Sequence, residues 1–450
     1  MSEIIKIKRG LDIKLQGKAD KTVSQDAISG LYAIKPTDFI GLTPKLIVNE
    51  GDLVKAGTPL FFDKNRPEVK FVSPVSGKVV EVSRGERRKI LAVIIESDGK
   101  NDFLKFATAS PADLSREKIT EALLESGMWP MIIQRPYGVI ADPTKKPKAV
   151  FISGFDTAPL APDLNFLMKD SEKAFQTGIN ALKKLTEGKV HLSLPANSEV
   201  CPAFAKAVNI EVHYFSGPHP AGNVGIQIHH IDPLNKAEEV WVVSPQNVAA
   251  IGKLFLEGVF DNSVTIALTG SEVLKPSYYK VVRGTSVLGL FKDNLTGKEL
   301  RYISGDVLSG TRISKDGFLG FYDNQISVIP EGNYYDFLGW ALPGLDKYST
   351  SRSFFSWLTP SKKYALDTNL KGGERAFVMT GEYEKVLPMD IYPVMLIKAI
   401  LAEDIDKMEQ LGIYEVVEED MALCEFVCTS KTEVQSILRK GLDLMKKEME

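Results

Sequence analysis

Thiols are the side chains with the most distinctive chemistry, and the chain contains three of them. Cys424 and Cys428 form a C-x3-C pair in LCEFVCTSK, and Cys201 is the remaining cysteine. An iron–sulfur cluster is normally held by four thiolates. Because three cysteines cannot supply four thiolates, we predict no cluster and interpret the C-terminal pair as small buried apolar side chains. Free thiols also fit a reducing compartment rather than an extracellular disulfide framework.

All five histidines lie within residues 191–230, and the densest stretch is SGPHPAGNVGIQIHHIDP. Neutral imidazoles together with Asp232 could ligate zinc or iron. However, His229 and His230 are adjacent, so on a strand they would point to opposite faces, and His219 lies between two prolines. No established ligand spacing is present, so we predict no metal site. We predict instead a loop whose glycines permit unusual backbone angles, namely Gly217, Gly222 and Gly225.

Glycine loops that bind phosphate are missing where they would be expected. A dinucleotide site needs G-x-G-x-x-G between a strand and its helix, so that backbone amides can approach a pyrophosphate. After the predicted strand 149–152 the chain instead reads SGFDTAPLAPD, and no G-x-x-x-x-G-K-[ST] sequence occurs. We therefore predict that the chain binds neither NADH nor a nucleoside triphosphate directly.

Lys64 raises the different question of a covalently attached biotinyl or lipoyl group. The segment LIVNEGDLVKAGTPLFF, followed by FVSPVSGKVVEV, has the pattern of a biotinyl/lipoyl-like β sandwich. In carrier domains a full strand precedes the modified lysine, whereas three residues separate Leu60 from Lys64. We predict this fold without a prosthetic group, with a carrier protein modified at Lys64 as an alternative.

The elements that would position these residues indicate a mixed α/β protein of several domains. The chain has 450 residues, of which 44% are apolar and 25% charged, and this composition is ordinary for a globular protein of that size. We predict an N-terminal region with the biotinyl/lipoyl-like module, a Rossmann-like α/β domain, a β-grasp (SLBB-like) domain and a helical C-terminal domain. Their boundaries are placed at 1–104, 105–262, 263–330 and 331–450.

Alternation of strands and helices predicts the α/β domain. Short apolar runs bounded like buried strands lie at 149–152, 190–194, 210–215, 240–243 and 264–268. Helices are predicted at 115–126 and in SPQNVAAIGKLFLEG, where Ser244 can cap and Gly258 can terminate the helix. Strands alternating with helices favour a mainly parallel, doubly wound sheet.

The last hundred residues have helical periodicity. Apolar residues recur at helix spacing from Val434 to Met445, and Ile397 to Leu411 suggests another amphipathic helix. We expect these faces mainly to pack on each other. Because methionine side chains adapt to partners, we also expect this region to contact a membrane partner.

Composition also bears on location and partners. The most apolar stretch, 392–402, is far shorter than the roughly 20 residues that span a bilayer. The first residues lack the continuous apolar core of a signal peptide, so we expect a cytoplasmic protein that reaches membranes only through a partner. The net charge is −3 and no basic stripe with interleaved aromatics is present, which argues against nucleic acid as a partner.

Six stretches in order along the chain carry a family resemblance. They read IKIKRGLDIKL, NEGDLVKAGTPLFFDKNRPEVKFVSPVSGKV, LLESGMWPMIIQRPYG, FDTAPLAPDL, FSGPHPAGNVGIQIHHIDP and IYEVVEEDMALCEFVCTSKTE. Together they resemble the NqrA family of the bacterial sodium-translocating NADH:quinone reductase. The resemblance implies a peripheral protein at the cytoplasmic face of the bacterial inner membrane, bound to the other subunits of this translocase, including integral membrane subunits. It also implies a respiratory complex that passes electrons from NADH through flavins and an iron–sulfur centre to quinone while exporting sodium.

The resemblance also bears on cofactors. The family is similar in architecture to the flavin- and NADH-binding subunit of complex I and to the RnfC family of the Rnf electron-transport complex, which hold cofactors in glycine-rich loops or cysteine clusters. The corresponding loop here is 126–130, in which Met128 and Trp129 occupy positions that must be small for phosphate to approach. The resemblance therefore implies a protein that kept the scaffold and binds no cofactor of its own.

A structural and regulatory role follows, with a quinone contact as a further hypothesis. A quinone needs an apolar slot and a hydrogen-bond donor for each carbonyl. The candidate quinone-binding residues are Trp129, Arg135, Tyr137 and His219, and no catalytic residue is predicted. Each has a structural alternative: core aromatics for Trp129 and Tyr137, a surface or interface ion pair for Arg135, and a hydrogen-bonded loop histidine for His219. The enzymatic alternative for the whole chain is a self-sufficient flavin-dependent NADH dehydrogenase.

Overall fold

A computed structural model describes residues 4–24, 30–339 and 341–449. Among the described residues up to position 100, the regular structure consists of strands and two single turns of 3₁₀ helix, at Pro36–Asp38 and Glu86–Arg88. The strands are β1 (Ile4–Lys6), β2 (Asp20–Ser24), β3 (Leu31–Ile34), β4 (Pro44–Leu46), β5 (Leu53–Val54), β6 (Pro59–Asp63), β7 (Lys70–Val72), β8 (Gly77–Arg84) and β9 (Ile90–Ser97). Strands β3-β9-β8-β5 and β4-β6-β7 form two small sheets that pack as one module. β1 and β2 leave this module and join two other sheets.

The second region alternates strands and helices, as predicted. Its elements are α1 (Arg116–Glu125), β10 (Ile133–Arg135), β11 (Val139–Ile140), β12 (Ala149–Ser153), α2 (Leu164–Met168), α3 (Glu172–Leu185), β13 (Lys189–Pro195), α4 (Pro202–Ala205), β14 (Glu211–Ser216), α5 (Val224–Ile231), β15 (Val240–Val242) and α6 (Pro245–Glu257). The Ser115 and Ser244 side chains cap α1 and α6 by accepting from the backbone N–H groups three residues on. Gly258 ends α6 in the left-handed conformation, as the sequence predicts.

The seven-stranded sheet has the order β1-β14-β13-β12-β15-β10-β11. The first five strands in this order are parallel to one another. At the edge, β10 pairs antiparallel with β15, and β11 pairs antiparallel with β10. Side chains of β12 alternate between two cores: Val150 and Ile152 pack with α3 and α6, whereas Ala149 and Phe151 pack with α5. Both faces are therefore covered by helices. β13 and β15 flank β12, so winding reverses at β12, and ligands of doubly wound sheets bind beyond the strand ends at such a point.

A third region adds β16 (Ser263–Thr269), β17 (Ser277–Val282), α7 (Leu288–Phe291), β18 (Leu300–Ser304), β19 (Thr311–Ile313) and β20 (Gln325–Pro330). These strands and β2 form a mixed sheet in the order β19-β18-β20-β16-β17-β2. The predicted run 264–268 is therefore a strand, but it belongs to this sheet and not to that of the α/β domain.

Helices occupy only the end of the C-terminal region. They are α8 (Tyr383–Val386), α9 (Pro393–Leu401), α10 (Ile405–Gln410), α11 (Glu418–Val427) and α12 (Val434–Met449). The described residues of 331–382 contain a single turn of 3₁₀ helix at Phe355–Leu358, so helical character starts later than predicted. No described helix is both long and apolar enough to cross a membrane.

The amphipathic helix predicted from Ile397 to Leu411 is in fact two helices. Glu403 adopts a left-handed conformation, with φ of 54°, which a continuous helix cannot contain. Asp404 then caps α10 by accepting a hydrogen bond from the Lys407 N–H at 3.1 Å. The capping side chain therefore overrides the apolar periodicity that runs across the break.

Candidate functional site

The loop at residues 126–130 is filled by its own side chains. Met128, Trp129 and Met131 are fully buried in the core shared with the N-terminal module. The Trp129 indole N–H donates to the Ala141 carbonyl at 2.8 Å, and its ring packs edge-on against Trp241. Trp129 is therefore a core aromatic, which was the structural alternative given above.

Gly127 explains how this loop approaches the N-terminal module so closely. Its φ is 74°, and a Cβ at this position would overlap the Val72 side chain. Glycine is therefore required for both backbone conformation and space. The close approach is to an apolar side chain, which leaves no passage there for a phosphate.

Arg135 lies in a buried ion pair with the C-terminal helices. Its Nη1 donates to Asp420 Oδ2 at 2.5 Å and its Nη2 donates to Glu419 Oε1, both in the first turn of α11. Only 4% of the Arg135 side chain and none of the Asp420 side chain is exposed. Burial disfavours the charge on Arg135, but Asp420 and Glu419 outweigh it and raise the pKa of Arg135. The sequence analysis gave a surface or interface ion pair as the structural alternative for Arg135. The ion pair is confirmed, but it is buried, so a surface position is wrong.

Tyr137 belongs to the same contact, which we call the junction: Arg135, Tyr137 and Gly225 of the α/β domain against Glu418–Asp420 of α11. Tyr137 is buried, and its ring lies edge-on to Tyr414. Its carbonyl accepts a hydrogen bond at 2.9 Å from Arg439, whose guanidinium forms a two-pronged ion pair with Glu418. Charged groups of α11 and α12 therefore hold the turn between β10 and β11 at both Arg135 and Tyr137.

His219 lies in the loop after β14, where it contacts the loop that follows β12. Its Nδ1 is 3.1 Å from Thr157 Oγ1, and its backbone N–H donates to Asp12 Oδ1 at 2.9 Å. Its side chain is buried, so it is the hydrogen-bonded loop histidine that the sequence analysis gave as the structural alternative. Burial lowers the pKa of His219 to about 4, against opposing effects of Asp306 and Asp12. The imidazole is therefore neutral at pH 7.

At two positions of the 216–232 stretch, neighbouring atoms leave no room for a side chain larger than that of glycine. Gly222 and Gly225 have ordinary backbone angles, so the predicted reason is correct only for Gly217, whose φ is 139°. A Cβ on Gly222 would lie 2.6 Å from the Thr157 nitrogen, and one on Gly225 would overlap the Asp420 carboxylate. His229 and His230, taken above as strand residues, lie on α5 instead.

Asp156 is an exposed acidic residue that the sequence analysis did not identify as a candidate. It follows β12 at the point where the winding reverses, and its Oδ1 accepts from the Ala158 N–H at 2.8 Å. Although the residue as a whole is exposed, desolvation of its carboxyl by the surrounding protein, together with the neighbouring charge of Asp306, raises the pKa of Asp156 to about 6. A short polar side chain directly after a parallel strand was the signal that could have identified it.

The structure brings Arg135 and Tyr137 together at the junction, places His219 beside Thr157, and puts Trp129 in a different core from Tyr137. Asp420, Glu419 and Asp156 complete the polar surroundings. Cys424 and Cys428 are buried near Tyr383 within the helical region, as the sequence predicts, and Cys201 lies far along the chain at the start of α4. Burial raises the pKa of Cys424, which makes it a poor thiolate.

Lys64 is exposed in the turn between β6 and β7. Arg66 of the same turn donates to the Ile140 carbonyl at 3.1 Å and pairs with Asp63. The turn is therefore fixed to the α/β domain, unlike a carrier hairpin that must reach distant active sites.

Three protein-family models match successive parts of the chain. Models of the NqrA N-terminal barrel-sandwich hybrid domain, the NqrA second alpha/beta domain and the NQRA C-terminal domain match residues 5–98, 114–260 and 265–315. An NAD+-reducing [NiFe]-hydrogenase in its air-oxidized state has a TM-score of 0.40 at 11% identity over 76% of this chain and 62% of that one, which is too low to support an argument.

Full-length relatives are much more similar. The A subunit of the Na(+)-translocating NADH-quinone reductase of Yersinia pseudotuberculosis serotype O:1b is 40% identical over 454 residues, which cover 99% of this chain and 100% of that protein. The protein of the same name from Neisseria meningitidis serogroup A is 39% identical over 449 residues, with the same coverage. That of Rhodopirellula baltica is 38% identical over 453 residues, covering 99% and 98%. The chain therefore belongs to the NqrA family of the Na(+)-translocating NADH-quinone reductase.

Proposed function

We propose that this chain is the peripheral NqrA component of a sodium-translocating NADH:quinone reductase, with a structural and regulatory role and no cofactor of its own. It would assemble with the other subunits, including membrane subunits, at the cytoplasmic face of the inner membrane. The observation that carries the proposal is the 40% identity, over the full length of both chains, to a protein of that name. The finer descriptions of its domains as biotinyl/lipoyl-like, Rossmann-like and β-grasp belong to the same proposal, supported by the strand orders given above.

The exposed apolar side chains of residues 334–358 are the best-supported contact surface for a partner. Tyr335 is completely exposed and Phe337 is 87% exposed. Other large apolar side chains of this segment are also exposed, namely Tyr334, Leu338, Leu342, Leu345, Phe355, Trp357 and Leu358. Exposed apolar patches rich in aromatics mark interaction surfaces. We propose that this segment contacts the other subunits.

The methionines on which the sequence analysis based its partner contact support it less well. Met408, Met421 and Met445 are fully buried in the core of the helical region. Deleting residues after Asp420 would remove core side chains of α12 as well, so the resulting loss of binding could not be assigned to a surface.

Co-purification of the assembled complex from membranes tests the proposal. The variant Tyr335→Ser/Phe337→Ser should reduce the amount of this chain that is recovered with the membrane subunits. Leu53→Ser is the matched control, because Leu53 is 83% exposed but lies in the N-terminal module. Undiminished recovery of the double variant contradicts the surface, and a chain that never co-purifies with membrane subunits contradicts the proposed function.

The predicted quinone contact at Trp129, Arg135, Tyr137 and His219 stays a prediction. Arg135 and Tyr137 share the junction, but all four side chains are buried. Equilibrium binding of a short-chain quinone to the purified chain, compared with His219→Ala, tests it, and absence of saturable binding contradicts it. The proposed lack of a cofactor is tested by the visible absorption spectrum, which a flavin or iron–sulfur centre would change, and by the intact mass, which a group on Lys64 would increase.

A further inference from the structure

Three potential metal ligands meet on one face of the seven-stranded sheet, away from the junction. His191 lies on β13, and Glu211 and His213 lie on the neighbouring parallel strand β14. The register pairs His191 with Glu211 and Ser193 with His213. Because side chains alternate along a strand, Glu211 and His213 point to the same face, and the directly paired His191 joins them. Two hydrogen-bonded strands therefore fix the spacing of all three.

The ligand atoms are already close to the separations that a metal ion requires. His191 Nδ1 lies 2.9 Å from His213 Nε2 and 3.7 Å from Glu211 Oε2. One ligand atom from each residue falls within 4.8 Å of the other two. Two ligand atoms at zinc bond lengths stand about 3.0–3.4 Å apart, so the His191–His213 and His191–Glu211 separations need to change by only a few tenths of an ångström.

Neighbouring side chains hold two of the three proposed ligands in place. Lys189 binds the other carboxylate oxygen of Glu211 at 2.6 Å, which orients Oε2 towards the histidines. Phe151 stacks on the His191 ring with centroids 4.6 Å apart and holds the ring in place.

We propose that His191, Glu211 and His213 bind a divalent transition-metal ion of the zinc class. Two imidazoles and one carboxylate form a ligand set that suits zinc and related first-row ions, and three protein ligands leave at least one coordination position for water. Asp232, which the sequence analysis considered as a ligand, is instead held by Lys148 at 2.6 Å. The proposal replaces the expectation of no metal site and is independent of the proposed function.

Titration of the chelator-treated full-length chain with Zn²⁺ at pH 7.5 tests the site. We expect one ion per chain, a rise in the temperature of unfolding on binding, and an affinity about 100-fold lower in His213→Gln. His230→Gln on α5 is the matched control and should bind as the unaltered chain does. Co²⁺ should give visible absorption bands that are lost in the His191→Gln/His213→Gln variant.

Two results overturn the proposal. One is the absence of saturable Zn²⁺ binding by the unaltered chain. The other is a double variant that retains the affinity, because the ion would then be bound elsewhere, for example by cysteines. Should His213→Gln not fold, Glu211→Gln removes the negative charge at a half-exposed position and should lower the affinity about 10-fold; an unchanged affinity in that variant also contradicts the site.

Discussion

The loop around Trp129 and the junction around Arg135 lie a few residues apart in sequence, and both are buried, but by different interactions. At the loop, Met128 and Trp129 fill an apolar core against Val72. At the junction, the Arg135 guanidinium donates hydrogen bonds to the Asp420 and Glu419 carboxylates, and these bonds take the place of bonds to water. An apolar core accepts any side chains that conserve volume. A buried charge tolerates only a partner of opposite charge, so the junction commits the C-terminal helices to one position on the α/β domain.

This difference predicts unequal responses to substitution, the largest at the junction. Asp420→Ala leaves Arg135 buried without its main partner and should lower the free energy of unfolding by about 3–5 kcal/mol. The control Glu187→Ala breaks an exposed pair with Lys146 and should cost no more than about 1 kcal/mol. Urea unfolding of the full chain provides the measurement. If both variants lose equal stability, the junction is not a buried ion pair.

Replacing both charges sharpens the same comparison. Arg135→Met/Asp420→Leu should recover much of the stability that Asp420→Ala loses, because both buried charges are removed and Glu419, whose side chain is 42% exposed, can be hydrated.

Gly225→Ala tests crowding at the junction without altering a charge. The added methyl group would overlap the Asp420 carboxylate and lie 2.6 Å from Arg135 Nη1, so stability should fall by about 1–3 kcal/mol. Gly373→Ala is the control, because nothing lies within 4 Å of its Cβ position. Its thermal unfolding should match that of the unaltered chain, and a similar loss in both variants would argue against close packing at Gly225.

Trp129→Phe tests the apolar loop. The smaller ring removes the 2.8 Å hydrogen bond to the Ala141 carbonyl, which keeps only a longer one from Arg66 at 3.4 Å, and should cost about 1–2 kcal/mol of unfolding free energy. Trp357→Phe, at a half-exposed indole, should change stability by less than about 0.5 kcal/mol. A Trp129→Phe variant as destabilised as Asp420→Ala would erase the distinction between the two regions.

His219 should give the smallest effect, and one that depends on pH. Its pKa is about 4 when folded and near 6.5 when unfolded, so its stabilising contribution is complete above pH 6.5 and is lost as the pH falls towards 4. Between pH 7 and 5.5 the unaltered chain should lose about 1 kcal/mol more than His219→Gln, which cannot be protonated. Unfolding at both pH values measures this, and equal pH dependence in the two proteins contradicts a buried neutral imidazole.

Local signals gave the secondary structure of the α/β domain because their causes are local. Apolar runs marked its strands, and Ser115, Ser244 and Gly258 marked helix ends through hydrogen bonds or backbone angles within three or four residues. The break at Glu403 was missed because the apolar periodicity continues across it. A capping aspartate is a weaker signal than a repeated apolar pattern until the backbone is seen.

The six quoted stretches by themselves indicated the family by resemblance, and residue patterns predicted the mixed α/β class and the burial of the C-terminal cysteines, whereas burial of Trp129 was one of two alternatives. Only the tertiary structure paired Arg135 with Asp420, 285 residues away, and set His191 beside Glu211 and His213 on adjacent strands. The physical reason is that apolar periodicity and helix capping depend on neighbours in sequence, whereas ion pairs and ligand clusters depend on which surfaces the completed fold brings into contact.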